Sequence, residues 1–209
     1  MKIDIWTDFV CPFCYIGKRH LEEALGDRQD VEIEYHSYEL DPTAPEKYEG
    51  SIEEYFKEKK GMEESQAQEM IKQVTQMAHE TGLDYHYETI QHGNSLKAHR
   101  LFQYAKEQGK GNEFIELGKK AYFIESQSLN DTDVLVRLAV SLGLAEDKVR
   151  EILSSEEFLS AVRIDQAEAA EIGVQGVPFF VINEKYGISG AQPVATFKEV
   201  IADIEKEES

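Results

Sequence analysis

The sequence predicts an α/β fold in which a large block of helices interrupts a small β-sheet domain. Strand patterns occur at both ends of the chain, whereas residues 41–160 carry amphipathic helical patterns with one ambiguous stretch. The chain has 209 residues, of which 41% are hydrophobic, and this is enough for one core or for one domain with a large insertion. The sequence contains no internal repeat and no low-complexity linker.

The chain opens with a predicted β-α-β unit. Lys2–Asp8 is rich in β-branched and aromatic residues and predicts a strand. A helix follows, because Pro12 suits the first helical position and apolar residues recur at helical spacing until Gly26. Val31–Tyr38 then returns to alternation of apolar and polar residues, which predicts the second strand.

The middle of the chain is predicted to be helical and to expose its charged residues. Residues 51–54 have the capping-box pattern, Asn94 can cap a helix, and residues 130–132 favour another cap. Leu83–Ile90 is ambiguous between strand and loop. The other apolar patterns of helical spacing are Met70–Met77, Leu96–Gln108, Phe114–Ile124, Asp133–Ser141, Lys148–Leu153 and Phe158–Ile172.

The last part of the chain returns to β-structure. Pro178–Ile182 is a continuous apolar run and predicts a strand buried on both faces. Tyr186–Ser189 is predicted to pair with this strand after a short turn, and an amphipathic helix follows. We therefore predict one domain made of residues 1–42 and 162–209, with a helical domain of residues 43–161 inserted into it.

Charge and hydropathy exclude several classes of partner. The formal net charge of −19 at pH 7 argues against nucleic acid or an anionic membrane surface as a partner. The longest apolar run is much shorter than the roughly 18 residues typical of a membrane-spanning helix. The first residues lack the features of a signal peptide. We therefore expect a cytoplasmic protein, in which thiols are normally kept reduced.

The only two cysteines, Cys11 and Cys14, indicate redox chemistry. Two thiols are too few for a structural zinc site without histidines, and the six histidines lack zinc-finger spacing, so we expect no metal. The start of the predicted helix presents unpaired N–H groups and a positive dipole end, which favour a thiolate at Cys11. We expect Cys14 to lie deeper.

A Cys-x-x-Cys pair at the first turn of a β-α-β unit is typical of a thioredoxin-like redox motif. The predicted roles follow from the position of each thiol along the helix. Cys11 attacks the disulfide of the partner, and Cys14 then resolves the mixed disulfide.

Gly176-Val177-Pro178 is the second feature that indicates this chemistry. A proline at the start of a central strand cannot donate to the hydrogen-bond ladder. A cis Val177–Pro178 bond would turn the backbone so that Val177 presents its N–H and C=O to an extended peptide. A trans proline at a strand start is the alternative, and the upstream cysteine pair favours the cis form.

Four segments together resemble a known family: Asp8–Gly17, Asn94–Leu101, Gly176–Ile182 and Gly187–Pro193. They are similar to the FrnE-like branch of the DsbA family. The resemblance implies a thioredoxin fold with a helical domain inserted after the second strand. It also implies thiol–disulfide oxidoreductase or isomerase activity, with Pro178 in the cis form and facing the cysteine pair.

The chain departs from this family and from thioredoxins at two positions. Periplasmic DsbA proteins usually carry a histidine where this chain has Phe13, so we expect a milder oxidant. Thioredoxins keep a buried acid where this chain has Ile5. Asp8 is nearby, but we favour a solvent-facing position for it over a role as proton carrier. His20 and His36 are no better supported as proton carriers.

Apolar residues are predicted to form a rim beside Cys11. We assign Pro12, Phe13 and Val177 to substrate binding, because such a rim suits extended peptide bound through its main chain. Phe9 could join the rim, but core packing is the favoured interpretation for this residue. The predicted partners are therefore cysteine-containing proteins or peptides.

Two other functions remain open at this point. The same fold hosts glutathione-dependent isomerases of the 2-hydroxychromene-2-carboxylate type, which typically have a serine where this chain has Cys11. The other possibility is a non-enzymatic adaptor with a relict redox pocket. We predict no bound cofactor, with glutathione as a candidate co-substrate, and the sequence fits a monomer and a homodimer equally.

Overall fold

The computed structural model describes residues 1–207, and its centre is a four-stranded sheet. In spatial order the strands are β2 (Glu32–Ser37), β1 (Lys2–Thr7), β3 (Phe179–Ile182) and β4 (Tyr186–Ser189). β1 pairs in parallel with β2 and antiparallel with β3, and β4 is antiparallel to β3. The two predicted strand regions therefore join in one mixed sheet.

Helices account for most of the remaining chain within the described residues. α1 connects β1 to β2, α2 to α8 lie between β2 and β3, and α9 ends the described chain. Their bounds are α1 Pro12–Leu25, α2 Ile52–Lys60, α3 Glu64–Glu80, α4 Leu96–Glu107, α5 Gly111–Phe123, α6 Thr132–Ser141, α7 Glu146–Leu153, α8 Leu159–Glu171 and α9 Val194–Glu207. This confirms the α/β class and the helical block between the second and third strands.

The predicted helix caps are confirmed, with one cap position shifted by one residue. Ser51 forms the predicted capping box with Glu54 at the start of α2. Asp131 caps α6, because its side chain accepts the N–H groups of two residues in the first turn. Asn94 accepts the N–H of Leu96 at 3.3 Å, although the cap position of α4 belongs to the residue after it. The ambiguous stretch at residues 83–90 contains a single 3₁₀ turn and no strand.

One burial prediction for β3 is wrong in part. Phe180 and Ile182 are buried in the main core, but Phe179 and Val181 on the other face are only half-buried. This second face packs into a small cluster centred on Trp6. Both faces of β3 carry apolar side chains although the two faces are buried to different extents. Its sequence therefore has the same pattern as a strand buried on both faces.

The main core is continuous from the sheet into the helical block. Phe9, directly after β1, is fully buried, and its ring packs edge-on against Phe102 of α4 and Phe114 of α5. The packing interpretation of Phe9 is thereby confirmed. Because the helical block packs on the end of β1, it also lies against the turn that carries the cysteines.

Within residues 1–207, no helix combines the length and the apolar character needed to cross a lipid bilayer.

Candidate active site

The two cysteines lie where β1 leads into α1. Cys11 is the N-cap residue of α1, with an extended backbone (φ −86°, ψ 116°), and Pro12 is the first helical residue. Cys14 lies in the first turn, and its N–H donates to the Cys11 carbonyl at 3.2 Å. Both are free thiols, and the two side chains lie 3.3 Å apart. The pair is therefore at the predicted helix terminus, where backbone N–H groups and the helix dipole favour negative charge.

The expected lower exposure of Cys14 is wrong. Cys11 is 2% exposed and Cys14 is 3% exposed, so both are covered. The loop before β3 lies against Cys11, and the helical block covers the turn from another side. Tyr85 of that block donates its hydroxyl to the Pro12 carbonyl at 2.7 Å. These long-range contacts have no signal in the local sequence.

The loop before β3 presents a cis Val177–Pro178 bond to the cysteines, as predicted. The thiol of Cys11 lies 3.4 Å from the Val177 carbonyl oxygen, to which it donates. Gly17 permits this approach, because a Cβ at that position would lie 3.0 Å from Cγ of Pro178 and 3.3 Å from Cζ of Phe180. Helix α1 can thus lie directly against the loop.

Asp8 is fully buried beside Cys14, so the solvent-facing position that we favoured is wrong. Its N–H donates to the Cys14 sulfur at 3.5 Å. One carboxylate oxygen lies 3.2 Å from Nε2 of His99, and the other accepts the N–H of Leu40 at 2.8 Å. Burial alone would raise the pKa of Asp8, but these hydrogen bonds and the His99 charge hold it below its usual value.

Lys119 of α5 brings a buried amine to the same place. Its Nζ donates to the Asp8 carbonyl oxygen and lies 5.7 Å above the centre of the Phe9 ring. Burial lowers the pKa of Lys119, and negative charge on the Cys14 and Cys11 sulfurs opposes that decrease. The charge of Lys119 is therefore coupled to the ionisation of the thiols.

The two thiols titrate as one unit, because each one is the other's closest ionisable neighbour. Burial raises the pKa of Cys11, and the adjacent Cys14 sulfur raises it further. Burial also disfavours the Cys14 thiolate, but the Cys11 thiol, the Lys119 charge and the Asp8 N–H outweigh this and lower the pKa of Cys14. The two sulfurs therefore share their negative charge, and the placement of the thiolate on Cys11 stays a prediction.

A cavity of about 300 Å³ opens beside Cys11. The three predicted substrate-binding residues, Pro12, Phe13 and Val177, lie together along one side of it. Phe13 is 37% exposed, in keeping with an outward position in the first turn. The opposite side belongs to the helical block and is largely aromatic, with Tyr55, Phe56, Tyr87, His92 and Tyr122 among its residues.

Comparison with known proteins agrees with this geometry. The family model for the DSBA-like thioredoxin domain matches residues 2–202. The chain belongs to the DsbA-like thioredoxin family. The predicted thioredoxin fold with inserted helices is thereby confirmed, and proteins of this family are oxidoreductases. Membership of the FrnE-like branch within it stays a prediction.

Two relatives of this DsbA-like chain match it along nearly their whole length. A crystal structure described as a probable DsbA oxidoreductase from Streptomyces coelicolor is 36% identical, with a TM-score of 0.94, and the match covers 100% of this chain and 92% of that one. YwbO of Bacillus subtilis, described as uncharacterized, is 29% identical over 99% of this chain and 98% of its own length.

More distant structures share the fold alone. A 2-hydroxychromene-2-carboxylate isomerase is 16% identical with a TM-score of 0.73, over 100% of this chain and 98% of that one. DsbM of Pseudomonas aeruginosa, described as a cytosolic disulfide reductase, is 14% identical with a TM-score of 0.70, over 99% of both chains. DsbM has also been solved with glutathione.

Away from the cysteines, the other histidines considered as proton carriers contact neighbouring polar groups of this DsbA-like chain. His20 bonds through Nδ1 to the Gln192 carbonyl oxygen at 2.8 Å, and His36 lies between Asp4 and Asp165. Two groups of donor atoms could surround a metal ion, one formed by Asp4, Glu34 and His36 and the other by His36, Asp165 and Glu168. The neighbouring Asp165 and Asp4 carboxylates outweigh burial and raise the pKa of His36, so a proton competes with a metal for this imidazole.

His99 and Lys119 are the residues beside the cysteines that sequence reasoning missed. His99 stands in a segment that carries the family resemblance, and both residues sit on helix faces that are otherwise apolar and buried. A histidine or lysine on such a face is a weak signal, because long side chains can also extend to solvent. Their position next to Asp8 depends on the packing of α4 and α5.

Proposed function

We propose that this chain is a thiol–disulfide oxidoreductase that exchanges disulfides with cysteine-containing proteins or peptides through Cys11 and Cys14. The observation that carries the proposal is the free thiol pair at the start of α1, with side chains 3.3 Å apart and the Val177 carbonyl against Cys11. Membership of the DsbA-like family supports the same chemistry.

Cys11 is the attacking thiol in this proposal. Of the two cysteines, Cys11 lines the cavity and contacts the loop before β3, whereas Cys14 is turned toward Asp8 and Lys119. A substrate disulfide that approaches through the cavity therefore meets Cys11 first. Cys14 is held where it can reach the Cys11 sulfur after the first exchange.

The two exchanges balance without an additional redox group. Cys11 loses its proton as its sulfur attacks one sulfur of the substrate disulfide, and the substrate sulfur that leaves takes up that proton. Cys14 then attacks the Cys11 sulfur, and its proton passes to the second substrate sulfur, which leaves as a thiol. The pair is oxidised to a disulfide by two electrons, the substrate is reduced to two thiols, and the reverse sequence oxidises a dithiol.

The surroundings of Cys14 suit its part in the second exchange. The N–H of Asp8 and the nearby charge of Lys119 stabilise a thiolate there without exposing it to water. Phe13 adds no such hydrogen-bond donor beside Cys11, so we expect the pair to be a milder oxidant than DsbA proteins with a histidine at that position.

Extended peptide is the proposed form of a protein substrate. The backbone of Val177 lies directly beside Cys11, and peptides commonly bind through main-chain hydrogen bonds at such an edge. Phe13 and Leu40 are exposed apolar side chains next to the cavity, and they would contact the side chains that flank the substrate cysteine.

Single cysteine variants test the proposal. We expect Cys11→Ser to abolish reduction of a protein disulfide such as that of insulin, and Cys14→Ser to accumulate a mixed disulfide at Cys11 that mass spectrometry detects. The first outcome follows because Cys11 makes the first attack, and the second because only Cys14 can resolve the mixed disulfide. The assignment is wrong if both variants keep full turnover.

Glutathione is the proposed small co-substrate, and a cytosolic location is proposed with it. DsbM, which has the same fold, is described as cytosolic and binds glutathione, and this supports both points. A glutathione-dependent isomerase remains the second candidate, because an isomerase of that type has the same fold. Tight binding of glutathione to an enzyme whose thiols do not exchange with disulfides would favour the isomerase.

A further inference from the structure

Both sulfurs are almost fully covered, yet Cys11 lines a cavity. Cys11 is only 2% exposed, so a disulfide on the surface of a folded protein cannot reach it without movement of the covering segments. A small molecule inside the cavity of about 300 Å³ lies directly beside this sulfur. The volume corresponds to the lower end of the range of small-molecule sites, roughly 300–1,000 Å³.

Much of the cavity wall beyond Cys11 is apolar and aromatic, although Asp8, Asp41 and Lys60 also line the cavity. Ile52, Tyr55 and Phe56 of α2 and Met70 of α3 line it, together with Tyr87. Side chains of this kind bind an apolar ring by burying its surface and by ring–ring contact. The apolar part of the wall therefore suits a substrate with an aromatic group.

His92 gives this wall one neutral polar group. Its Nδ1 lies 2.7 Å from the Tyr122 hydroxyl, and its Nε2 has no hydrogen-bond partner among the described residues. Burial lowers the pKa of His92 to about 4, so the ring is uncharged at neutral pH. A buried polar nitrogen without a partner is costly. Nε2 is covered by its neighbours and His92 lines the cavity, so a polar substituent on a bound ring satisfies this nitrogen once the covering side chains shift.

We infer that the cavity binds low-molecular-weight disulfides that carry an aromatic ring with one hydrogen-bonding substituent, and delivers their S–S bond to Cys11. This inference rests on the proposed function and names a substrate class for the same site. The ring lies between α2 and α3, and the S–S bond lies beside Cys11. One enzyme dithiol and one substrate disulfide give the enzyme disulfide and two small thiols, and the two thiol protons end on those products.

The test compares disulfides with similar chemistry and different side groups. Bis(hydroxybenzyl) disulfide and bis(hydroxyethyl) disulfide both release alkyl thiols, so their S–S bonds differ little in reactivity. The readout is the second-order rate constant for oxidation of the pre-reduced enzyme, which requires no recycling partner. We expect the ring compound to react about tenfold faster, because its side group is buried in the cavity.

A bulky substitution in the cavity wall tests the location. Met70→Trp fills the cavity, whereas Met77→Trp on the same helix is a matched control because Met77 is 37% exposed and lies outside the cavity wall. We expect Met70→Trp to remove the rate advantage of the ring compound over bis(hydroxyethyl) disulfide, and Met77→Trp to keep it. Equal rates of the two disulfides with the natural enzyme, or an equal loss of both rates in Met70→Trp, would overturn the inference.

A second variant tests the polar contact. His92→Asn keeps a group near the position of Nδ1 for Tyr122 and removes Nε2. We expect the loss of rate to be about fivefold larger for bis(hydroxybenzyl) disulfide than for dibenzyl disulfide, which lacks the hydroxyl. Equal losses for both compounds would assign His92 a structural role and contradict this part of the inference.

Failure of the inference and failure of the proposed function are distinguishable. Oxidation of the natural enzyme by bis(hydroxyethyl) disulfide, and its loss in Cys11→Ser, depend only on the thiol pair. If that exchange is present and the ring compound has no advantage, only the substrate class is wrong. If the exchange persists without Cys11, both the proposed function and the inference fail.

Discussion

Two buried histidine–aspartate pairs in this protein have similar geometry and different surroundings. His99 and Asp8 are 3.2 Å apart beside the cysteines, and His36 and Asp4 are 2.8 Å apart on the sheet. All four residues are at most 8% exposed. Residue type and burial alone therefore do not distinguish the two pairs.

The pair at His36 is enclosed by permanent partners. His36 stacks on Trp6 with ring centres 4.5 Å apart and lies 3.5 Å from Asp165, and Asp4 also pairs with Lys2 at 3.1 Å. Each charge here is balanced by another charge that the fold holds in place. Such a network stabilises one arrangement of the chain, so we interpret it as structural.

The pair at Asp8 instead adjoins groups whose charge changes during the proposed reaction. The Asp8 N–H contacts Cys14, and its carbonyl accepts from Lys119, which responds to the ionisation of both sulfurs. The two regions show that a buried ion pair indicates a functional site when it contacts a reactive group and a cavity. Without those neighbours the same pair is part of the framework.

The largest expected effect comes from removing Asp165 from the structural network. Asp165 accepts the Ser37 N–H and the Gln103 amide, both at 2.6 Å. We expect Asp165→Ala to lower the free energy of unfolding by about 3 to 5 kcal/mol, because buried donors and His36 lose their partner. Denaturant unfolding measures this change. The thiolate absorbance of the cysteine pair against pH should be unaffected, and a clear shift would show that the two regions are coupled.

The second-largest expected effect is on the titration of the thiols and should leave the structural network around His36 unaffected. Lys119→Met removes the buried amine beside the thiols, so we expect the pKa of the first thiol to titrate to rise by about one unit. Thiolate absorbance as a function of pH gives this value. Lys106→Met is the matched control, because Lys106 pairs with Glu34 at 2.7 Å in the structural region. An equal shift in both variants would mean that the effect is not local to the thiols.

The smallest expected effect is a pH dependence of stability that arises at His36. Its pKa is raised in the folded protein above the ordinary value of about 6.5, because Asp165 and Asp4 outweigh burial. Its stabilising contribution is therefore complete below about pH 6.5 and is lost as the pH rises through the folded pKa. We expect His36→Asn to flatten the unfolding free energy in that range, with a change smaller than that of Asp165→Ala. An unchanged pH profile would contradict this assignment.

The sequence predicted those parts of the site whose signals lie within a few residues of one another. Pro12 at the first helical position, the two-residue spacing of the cysteines and the proline before an apolar strand each act locally. The sequence therefore placed each of these features in the helix or loop where the structure has it. The coupling of the thiols to Asp8 and Lys119 was not foreseen, because it depends on residues from distant parts of the chain.

Asp8 illustrates why the remainder could not be predicted. In the sequence it is a polar residue after a strand, a position that usually faces solvent. The partners that bury it, His99 and Lys119, lie 91 and 111 residues further along the chain. No pattern near Asp8 records whether two helices of an inserted block will pack on that strand end.

The amino-acid sequence by itself determined the order of strands and helices, the thiol pair at a helix start and the proline that faces it. These features follow from backbone geometry, capping and short-range apolar spacing, which act over one or two turns. Tertiary structure alone decided that both thiols are covered, that Asp8 is an interior residue and that a cavity reaches Cys11. Those properties arise from the packing of α2 to α5 against the sheet, and burial and electrostatic fields depend on every surface that meets there.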